Sequence, residues 1–381
     1  SRRSGAALRY DPSGAGNSLK TKEQSENIRA PEWKHEIATP ALVLDLDDFE
    51  RNLSRMADAA NRAGKKLRPH AKAHKCFEIA RRQVSAEARG ACVATIAEAE
   101  LLAQAGIPGL LLTSPVADPR KMKRIAATGA MVAIDHVRQV EWYAAAESPL
   151  DVLIDLDVGD HRTGAASIEQ ALEIARAVDR SPDLTLRGIQ AYSVRGSHGG
   201  DRAERRQISE AAFAIAAEAR DAFLRAGLCA DILSGGSTGT WDIDLTLPAV
   251  TELQAGSYVL MDLAYRRLGL DFANALRVLA TVISANHPDF VTVDGGYKAF
   301  STDRGYGPEA LNLPGASYRW GGDEFGFLDV AECSARPQLG DRIELIPPHC
   351  DPTVNLHDAI YACRGDRVEA VWSVMKRSNP G

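Results

Sequence analysis

The amino-acid sequence predicts an α/β protein, a (β/α)8 TIM barrel followed by a second, mostly β domain. Three observations carry this reading. From Thr39 onward, short apolar runs alternate with longer segments of helical period, many of which end in Gly. Eight such runs follow one another before about residue 268, and eight parallel strands joined by crossover helices close naturally into a barrel. Beyond about Leu270 the pattern shifts to short strand-like runs separated by Gly, Pro, Asn and Asp, with little helical period between them.

Taken in order, residues 1–38 read as an N-terminal arm, rich in Ser, Gly, Lys and Glu and without hydrophobic period, either disordered or foreign to the folded protein. The barrel is assigned to residues 39–268, with strands near 66–69, 90–94, 109–113, 130–135, 151–157, 186–192, 230–234 and 252–260. The segments 96–105, 167–178 and 202–226 carry apolar residues at three- and four-residue spacing, as crossover helices do. The apolar run 41–46 precedes the barrel, and the sequence leaves open whether it pairs with the later β domain. That domain, residues 269–381, holds strand-like runs at 279–283, 290–293, 342–346 and 368–372.

Composition narrows the functional classes. With 381 residues, 45% hydrophobic and 25% charged, the chain has material for large cores in two domains. A net charge of −6 offers no general attraction for nucleic acid or an anionic membrane. No apolar run approaches the roughly 20 residues that span a bilayer, and Arg2-Arg3 is followed by small polar residues rather than a signal-peptide core. A cytoplasmic enzyme acting on a small molecule, with no nucleic-acid or membrane partner, is the expectation. The six cysteines lack CxxC spacing, which suggests reduced thiols rather than a disulfide framework.

Barrel chemistry collects at the C-terminal ends of the strands. The first strand runs into Arg68-Pro69-His70-Ala71-Lys72-Ala73-His74-Lys75, where Lys72 is placed to form a Schiff base, although a lysine there also suits a solvated surface. The fifth ends near Asp155, Asp157, His161 and Arg162, and the sixth near Gln190, Tyr192 and His198. His198 stays open between a base and an ordinary hydrogen-bonding histidine. The seventh strand ends in Ser234, Gly235, Gly236, Ser237, Thr238, Gly239 and Thr240. Glycines let backbone amides approach an anion and hydroxyls add donors; a plain turn would read the same, but position after strand seven favours phosphate. Gly256, Ser257 and Tyr258 after strand eight extend that pocket, with Ser257 donating to phosphate and Tyr258 packing beside it.

In Pro347-Pro348-His349-Cys350-Asp351-Pro352, His349 and Asp351 are two apart, so an extended segment would present both on one face. A nitrogen and a carboxylate make a two-ligand clip for Mn²⁺, with Zn²⁺, Co²⁺ or Mg²⁺ as alternatives, while Cys350 points away. An incidental His and Asp at a strand terminus is an equal reading of these residues alone.

Together these stretches resemble the D-threonine aldolases, which group with eukaryotic-type D-serine dehydratases and with 3-hydroxyaspartate aldolases and dehydratases. The resemblance spans Thr39 to the end and rests on the order and spacing of Thr39-Pro40-Ala41-Leu42-Val43-Leu44-Asp45-Leu46, the Lys72 run, Gln190-Ala191-Tyr192, the glycine loop, the segment 251–258 and the segment 348–358. It implies an alanine racemase-like fold, a homodimer and pyridoxal 5′-phosphate (PLP). It further implies Lys72 as the Schiff-base lysine, Arg162 facing the pyridine nitrogen, residues 236–239 on the phosphate, and His349 with Asp351 as metal ligands. His357 and Asp358 are expected to orient those ligands.

The implied activity is PLP- and metal-dependent retro-aldol cleavage of a D-configured β-hydroxy-α-amino acid to glycine and an aldehyde. In it the metal acidifies the β-hydroxyl, His198 removes its proton, and Tyr192 lies beside the cofactor or substrate. The alternatives are a D-serine or 3-hydroxyaspartate dehydratase, a 3-hydroxyaspartate aldolase, and a non-enzymatic PLP carrier. The carrier is disfavoured by the β domain and the His349 and Asp351 pair, and a racemase by the lack of a second-base tyrosine motif. The chain departs from the family's common pattern at Val194, Ser197 and Phe325, and Arg195 is a candidate anchor for a second substrate carboxylate, weighed against a solvated loop arginine.

Overall fold

The computed structural model of the chain describes residues 31–375, so most of the expected arm, residues 1–30, lies outside the described residues. The rest of that arm is not free. Trp33 bridges Arg367, the buried Lys34 places Nζ 2.6 Å from Glu344, and Ile37 is fully buried.

Eight parallel strands form one sheet: β2 (Lys66–Leu67), β3 (Cys92–Val93), β4 (Leu111–Leu112), β5 (Met131–Ile134), β6 (Leu150–Asp155), β7 (Leu184–Ala191), β8 (Ile232–Gly235) and β9 (Glu252–Leu253). The ladder order is β2-β9-β8-β7-β6-β5-β4-β3, and the ring closes where a parallel bridge joins His70, just past β2, to Cys92. The surrounding helices follow from local sequence. In the helix Ile168–Asp179, Ser167 accepts from the Gln170 N–H as N-cap, and Ala171, Ile174, Ala175 and Val178 form the buried stripe at helical spacing.

The second sheet has nine strands. Its main path is β13 (Ser317–Trp320), β14 (Gly326–Asp329), β11 (Phe290–Val293), β10 (Leu276–Ser284), β1 (Ala41–Asp45), β16 (Ala359–Arg364) and β17 (Arg367–Ser373). Off this path, β15 (Arg342–Ile346) pairs with β10 and with β12 (Glu309–Ala310). The run left open by the sequence therefore joins this sheet: β1 lies antiparallel to β10 and parallel to β16. Among the described residues, no helix is long and apolar enough to cross a membrane.

One apolar cluster spans the junction, packing Leu253 and residues 258–261 from the end of the barrel against Leu42, Leu44, Val278 and Leu345 of the second sheet. Buried Asp262 fastens the same junction. Its carboxylate accepts the Tyr265 N–H at 2.9 Å and the Cys350 N–H at 2.8 Å, so the segment carrying His349 and Asp351 is fixed over the barrel mouth.

Candidate active site

At the C-terminal mouth of the barrel a cleft of about 240 Å³ is lined by His70, Lys72, Arg162, Tyr192, His198 and Asp351, among others. A second lobe of about 320 Å³ adjoins it, sharing Lys72, Arg162 and Tyr192 and reaching Thr113 and Gln190. The cleft is where nearly all the reactive residues of the sequence reading meet.

Lys72 sits on a short 3-10 turn, Ala71–Ala73, directly after β2. His70 caps that turn, its Nδ1 accepting the Lys72 N–H at 3.4 Å while Nε2 lies 3.1 Å from Thr113 Oγ1. Because the Thr113 hydroxyl donates to Val93 O, the Nε2–H of His70 is the donor in its own contact, which makes His70 a neutral imidazole. Burial, with Lys72 next, holds its pKa well below the usual histidine value. Lys72 Nζ lies 6.0 Å from the centre of the Tyr192 ring, and the Arg162 guanidinium 5.2 Å from the same ring.

Beneath the cleft a polar chain crosses the barrel interior. Asp155 accepts from Gln190 and from Thr163, the neighbour of Arg162; Gln190 accepts from Gln254, which also donates to Ser234; and Ser234 donates to Glu252. Glu252 ends the chain in a buried two-pronged pair with Arg68, both bonds at 2.8 Å. Burial pushes Asp155 up to about 6. Ser234, expected on the phosphate, is thus committed to the barrel interior, because it belongs to β8 and projects toward Glu252.

The glycine loop turns tightly and leaves backbone donors unpaired. Gly236 has φ +76°, and a Cβ there would lie 2.5 Å from both Asp244 Oδ2 and Leu253 Cδ1. A Cβ on Gly256 would come within 2.4 Å of His70 O. Gly236, Ser237, Thr238, Gly256 and Ser257 line the cleft. Among the described residues, the backbone N–H groups of Thr238, Gly256 and Ser257 have no protein acceptor. Asp244 holds the loop from behind, accepting from Ser237 N–H at 3.2 Å and from the Ser209 and Thr240 hydroxyls. Gly239 lies outside the cleft. It meets Ser197 O so closely that a Cβ would fall 1.8 Å away, which lets the helix Val194–His198 pack on the loop. Tyr258 is also outside: fully buried, it accepts from Gln83 at 3.3 Å, and only its N–H reaches the loop, at Thr238 Oγ1.

The metal-ligand candidates differ from expectation in their backbone. His349 is the N-cap of the helix Cys350–Val354 and Asp351 lies in its first turn, rather than on an extended segment. Pro352 suits that turn, where its missing N–H removes no helical bond. Both residues still line the cleft, and Cys350 is buried. His349 Nδ1 lies 2.8 Å from Asp303 Oδ2, and Ser257 Oγ donates to Asp351 Oδ1 at 3.1 Å. Ser257 therefore spends its hydroxyl on Asp351 rather than on the phosphate side. His357 does not orient these ligands; its Nε2 is 3.0 Å from Ala299 O. A histidine whose Nδ1–H is held by a carboxylate presents the Nε2 lone pair, the form that binds a metal. The donor set fits a divalent ion on two protein ligands; among the described residues no group of three or more His, Cys, Asp or Glu is placed to hold one.

His198 ends the helix Val194–His198, its ring 4.7 Å from that of Tyr265 and 6.1 Å from that of His349, centre to centre. Burial first, then the neighbouring Arg304, lowers its pKa to about 4. Tyr265, Asp303 and Arg304 were missed by sequence reasoning, since nothing in the residues around them is periodic. Arg195 is exposed and does not line the cleft, and Phe325 is exposed as well.

This site sits on a fold that comparison with known proteins defines further. Residues 44–264 match the family described as alanine racemase, N-terminal domain, and residues 275–363 match a putative serine dehydratase domain. A D-threonine aldolase of Arthrobacter sp is 37% identical over 354 residues, covering 90% of this chain and 93% of the relative. A 3-hydroxy-D-aspartate aldolase of Paracoccus denitrificans (strain Pd 1222) is 36% identical, covering 90% and 92%. The crystal structure of D-threonine aldolase from Filomicrobium marinum superposes with a TM-score of 0.87 at 34% identity, covering 91% of this chain and 98% of that one. The protein is an alanine racemase-like lyase. It belongs to the PLP-dependent family of D-threonine aldolases, 3-hydroxyaspartate aldolases and 3-hydroxyaspartate dehydratases.

Proposed function

We propose that the enzyme cleaves D-β-hydroxy-α-amino acids by a retro-aldol reaction, giving glycine and an aldehyde, with PLP and a divalent metal as cofactors. The observation that carries this is the meeting, in one cleft, of Lys72, the His349 and Asp351 pair, and His198 beside that pair. PLP, when bound, supplies a sink for electrons released from bonds at Cα. A divalent ion supplies Lewis acidity toward the β-hydroxyl.

The chain's own residues do the rest. Lys72 would hold the cofactor, and the backbone amides of Thr238, Gly256 and Ser257 would take its phosphate at the glycine loop. Arg162, which lines the cleft, would meet the pyridine nitrogen; a permanent cation there would disfavour its protonation and raise the value of a second electrophile at the substrate hydroxyl. Tyr192, with Lys72 and Arg162 both close to its ring, would lie beside the cofactor. His349 and Asp351 would hold the metal, with Asp303 orienting His349 and Ser257 orienting Asp351. His198, neutral at physiological pH, accepts the β-hydroxyl proton at Nε2 as the carbonyl of the leaving aldehyde forms.

Enzyme loaded with PLP and Mn²⁺ is to be given D-threonine, D-serine and 3-hydroxy-D-aspartate, with and without chelator. Glycine and an aldehyde are expected, both lost on chelation, and Lys72→Ala should lose the visible absorbance of the attached cofactor. Ammonia with pyruvate or oxaloacetate would instead make the enzyme a dehydratase. Turnover indifferent to chelator would remove the metal from the reading.

A further inference from the structure

The barrel has a second recess, at the end opposite its mouth. Because the eight strands run parallel, their first residues share one floor, and there Lys66, Met131, Asp151, Ile232 and Glu252, at or near the starts of five strands, line a cavity of about 690 Å³. It has no lining residue in common with either lobe of the cleft, and the proposed reaction makes no use of it.

Charge sets this cavity apart. Six cations line it against three carboxylates, in a chain whose net charge is −6. Two of the cations are matched locally: Arg68 by Glu252, and Arg187 by Asp151, with the third carboxylate, Asp231, also acting on Arg187. The other four have no carboxylate partner among the described residues. Lys65 Nζ donates to the carbonyls of Leu247 and Val250, at 3.0 and 2.5 Å, and Arg220 to those of Ala230 and Ala249, at 2.9 and 3.4 Å. Carbonyls satisfy these donors without cancelling their charge. Lys66 and Arg89 are exposed, and their side chains bond nothing among the described residues. Lys65 registers the crowding: burial first, then the charge of Arg220, lowers its pKa.

The uncompensated cations stand on two sides. Arg220 and Lys65 hold to the segments entering β8 and β9, whereas Arg89 precedes β3, which lies beyond β2 in the ring. A recess walled by protein concentrates such a field. Its volume lies within the roughly 300–1,000 Å³ of small-molecule sites and admits more than one ionic group. Guanidinium and ammonium groups make their strongest hydrogen bonds to ionised oxygens such as those of phosphate. We propose that the floor of the barrel is a second ligand site, for a small molecule carrying two or more phosphate groups, one beside Arg220 and Lys65 and another beside Arg89 and Lys66. The site uses no residue of the cleft, so it stands apart from the aldolase reading.

PLP-loaded enzyme without added metal, since pyrophosphate binds divalent ions, is to be dialysed to equilibrium against labelled inorganic pyrophosphate. Wild type should bind it saturably at a single site per chain, and more tightly than inorganic phosphate. The double variant Lys66→Gln with Arg89→Gln should keep the wild-type Tm and bind at least about 10-fold more weakly. Lys123→Gln with Arg138→Gln removes the same charge from exposed positions off the cavity and should bind as wild type does. Equal losses in the two double variants would mean attraction by the field of the whole molecule. Full binding by the Lys66 and Arg89 variant would put the pyrophosphate elsewhere, the cleft included. Either result overturns the site, as does a lack of saturable binding, and phosphate bound as tightly as pyrophosphate overturns the ligand class. None of these outcomes touches the aldolase reading.

Discussion

Asp303 Oδ2 and His349 Nδ1 are 2.8 Å apart, and this contact decides which nitrogen of His349 faces the cleft. With Nδ1–H donated to the carboxylate, the Nε2 lone pair is left for a metal. Asp303→Ala should weaken divalent-metal binding by about 10- to 100-fold, measured by competition with an indicator chelator. Asp303→Asn, which keeps a side-chain oxygen, should lose less. Unchanged affinity in the alanine variant would remove Asp303 from the metal site.

Gly236 is a point at which the glycine loop, proposed to hold the phosphate, turns. A side chain would combine positive φ with contacts of 2.5 Å to Asp244 and Leu253. Strain of this kind costs about 1–3 kcal/mol, so Gly236→Ala should lower PLP affinity by about 10-fold or more. Titration of the apoenzyme with PLP measures it, and wild-type affinity would refute the assignment of this loop to phosphate.

Asp244 behind the same loop gives a pH signature. It is fully buried, and desolvation raises its pKa from 3.8 to about 7. The folded state therefore holds a proton that the unfolded state releases between those values, and this group's contribution to stability falls as pH rises from about 4 to 7. Asp244→Asn abolishes that titration. The variant's Tm, measured relative to wild type, should rise across this window; a constant difference would show that Asp244 is charged throughout.

The Arg68 and Glu252 pair is almost wholly enclosed, with side-chain exposures of 3% and 2%. Removing one partner strands the other charge, so Arg68→Met should cost about 3–5 kcal/mol of stability. Chemical denaturation is the measure. The double variant Arg68→Met with Glu252→Leu should recover part of the loss, and a single variant as stable as wild type would contradict the pair's structural role.

The barrel was legible because its strands are apolar runs framed by helices with clear stripes, as in the helix Ile168–Asp179. Lys72, Arg162, Tyr192 and His198 could be placed near the mouth because strand ends fix where loops emerge. What the residues could not give was direction. Ser234 and Tyr258 sit in the right segments, yet one points into the barrel interior and the other into the apolar junction. His349 and Asp351 meet through a helical turn, for which Pro352 was the available sign. Asp303 and Arg304 were hidden because their place over the mouth depends on how the second sheet packs on the barrel, which no local pattern records.

The position of β1 has a consequence for how the protein is made. This strand leaves the ribosome before the barrel, while its neighbours β10 and β16 follow after it. Leu42 and Leu44, both fully buried in the finished fold, have no sheet to join until the barrel has been translated and β10 has followed it. Expressing the barrel and the later strands as separate polypeptides would leave the central strand on the wrong piece. The two halves are tied together by this strand, and residues of both line the cleft.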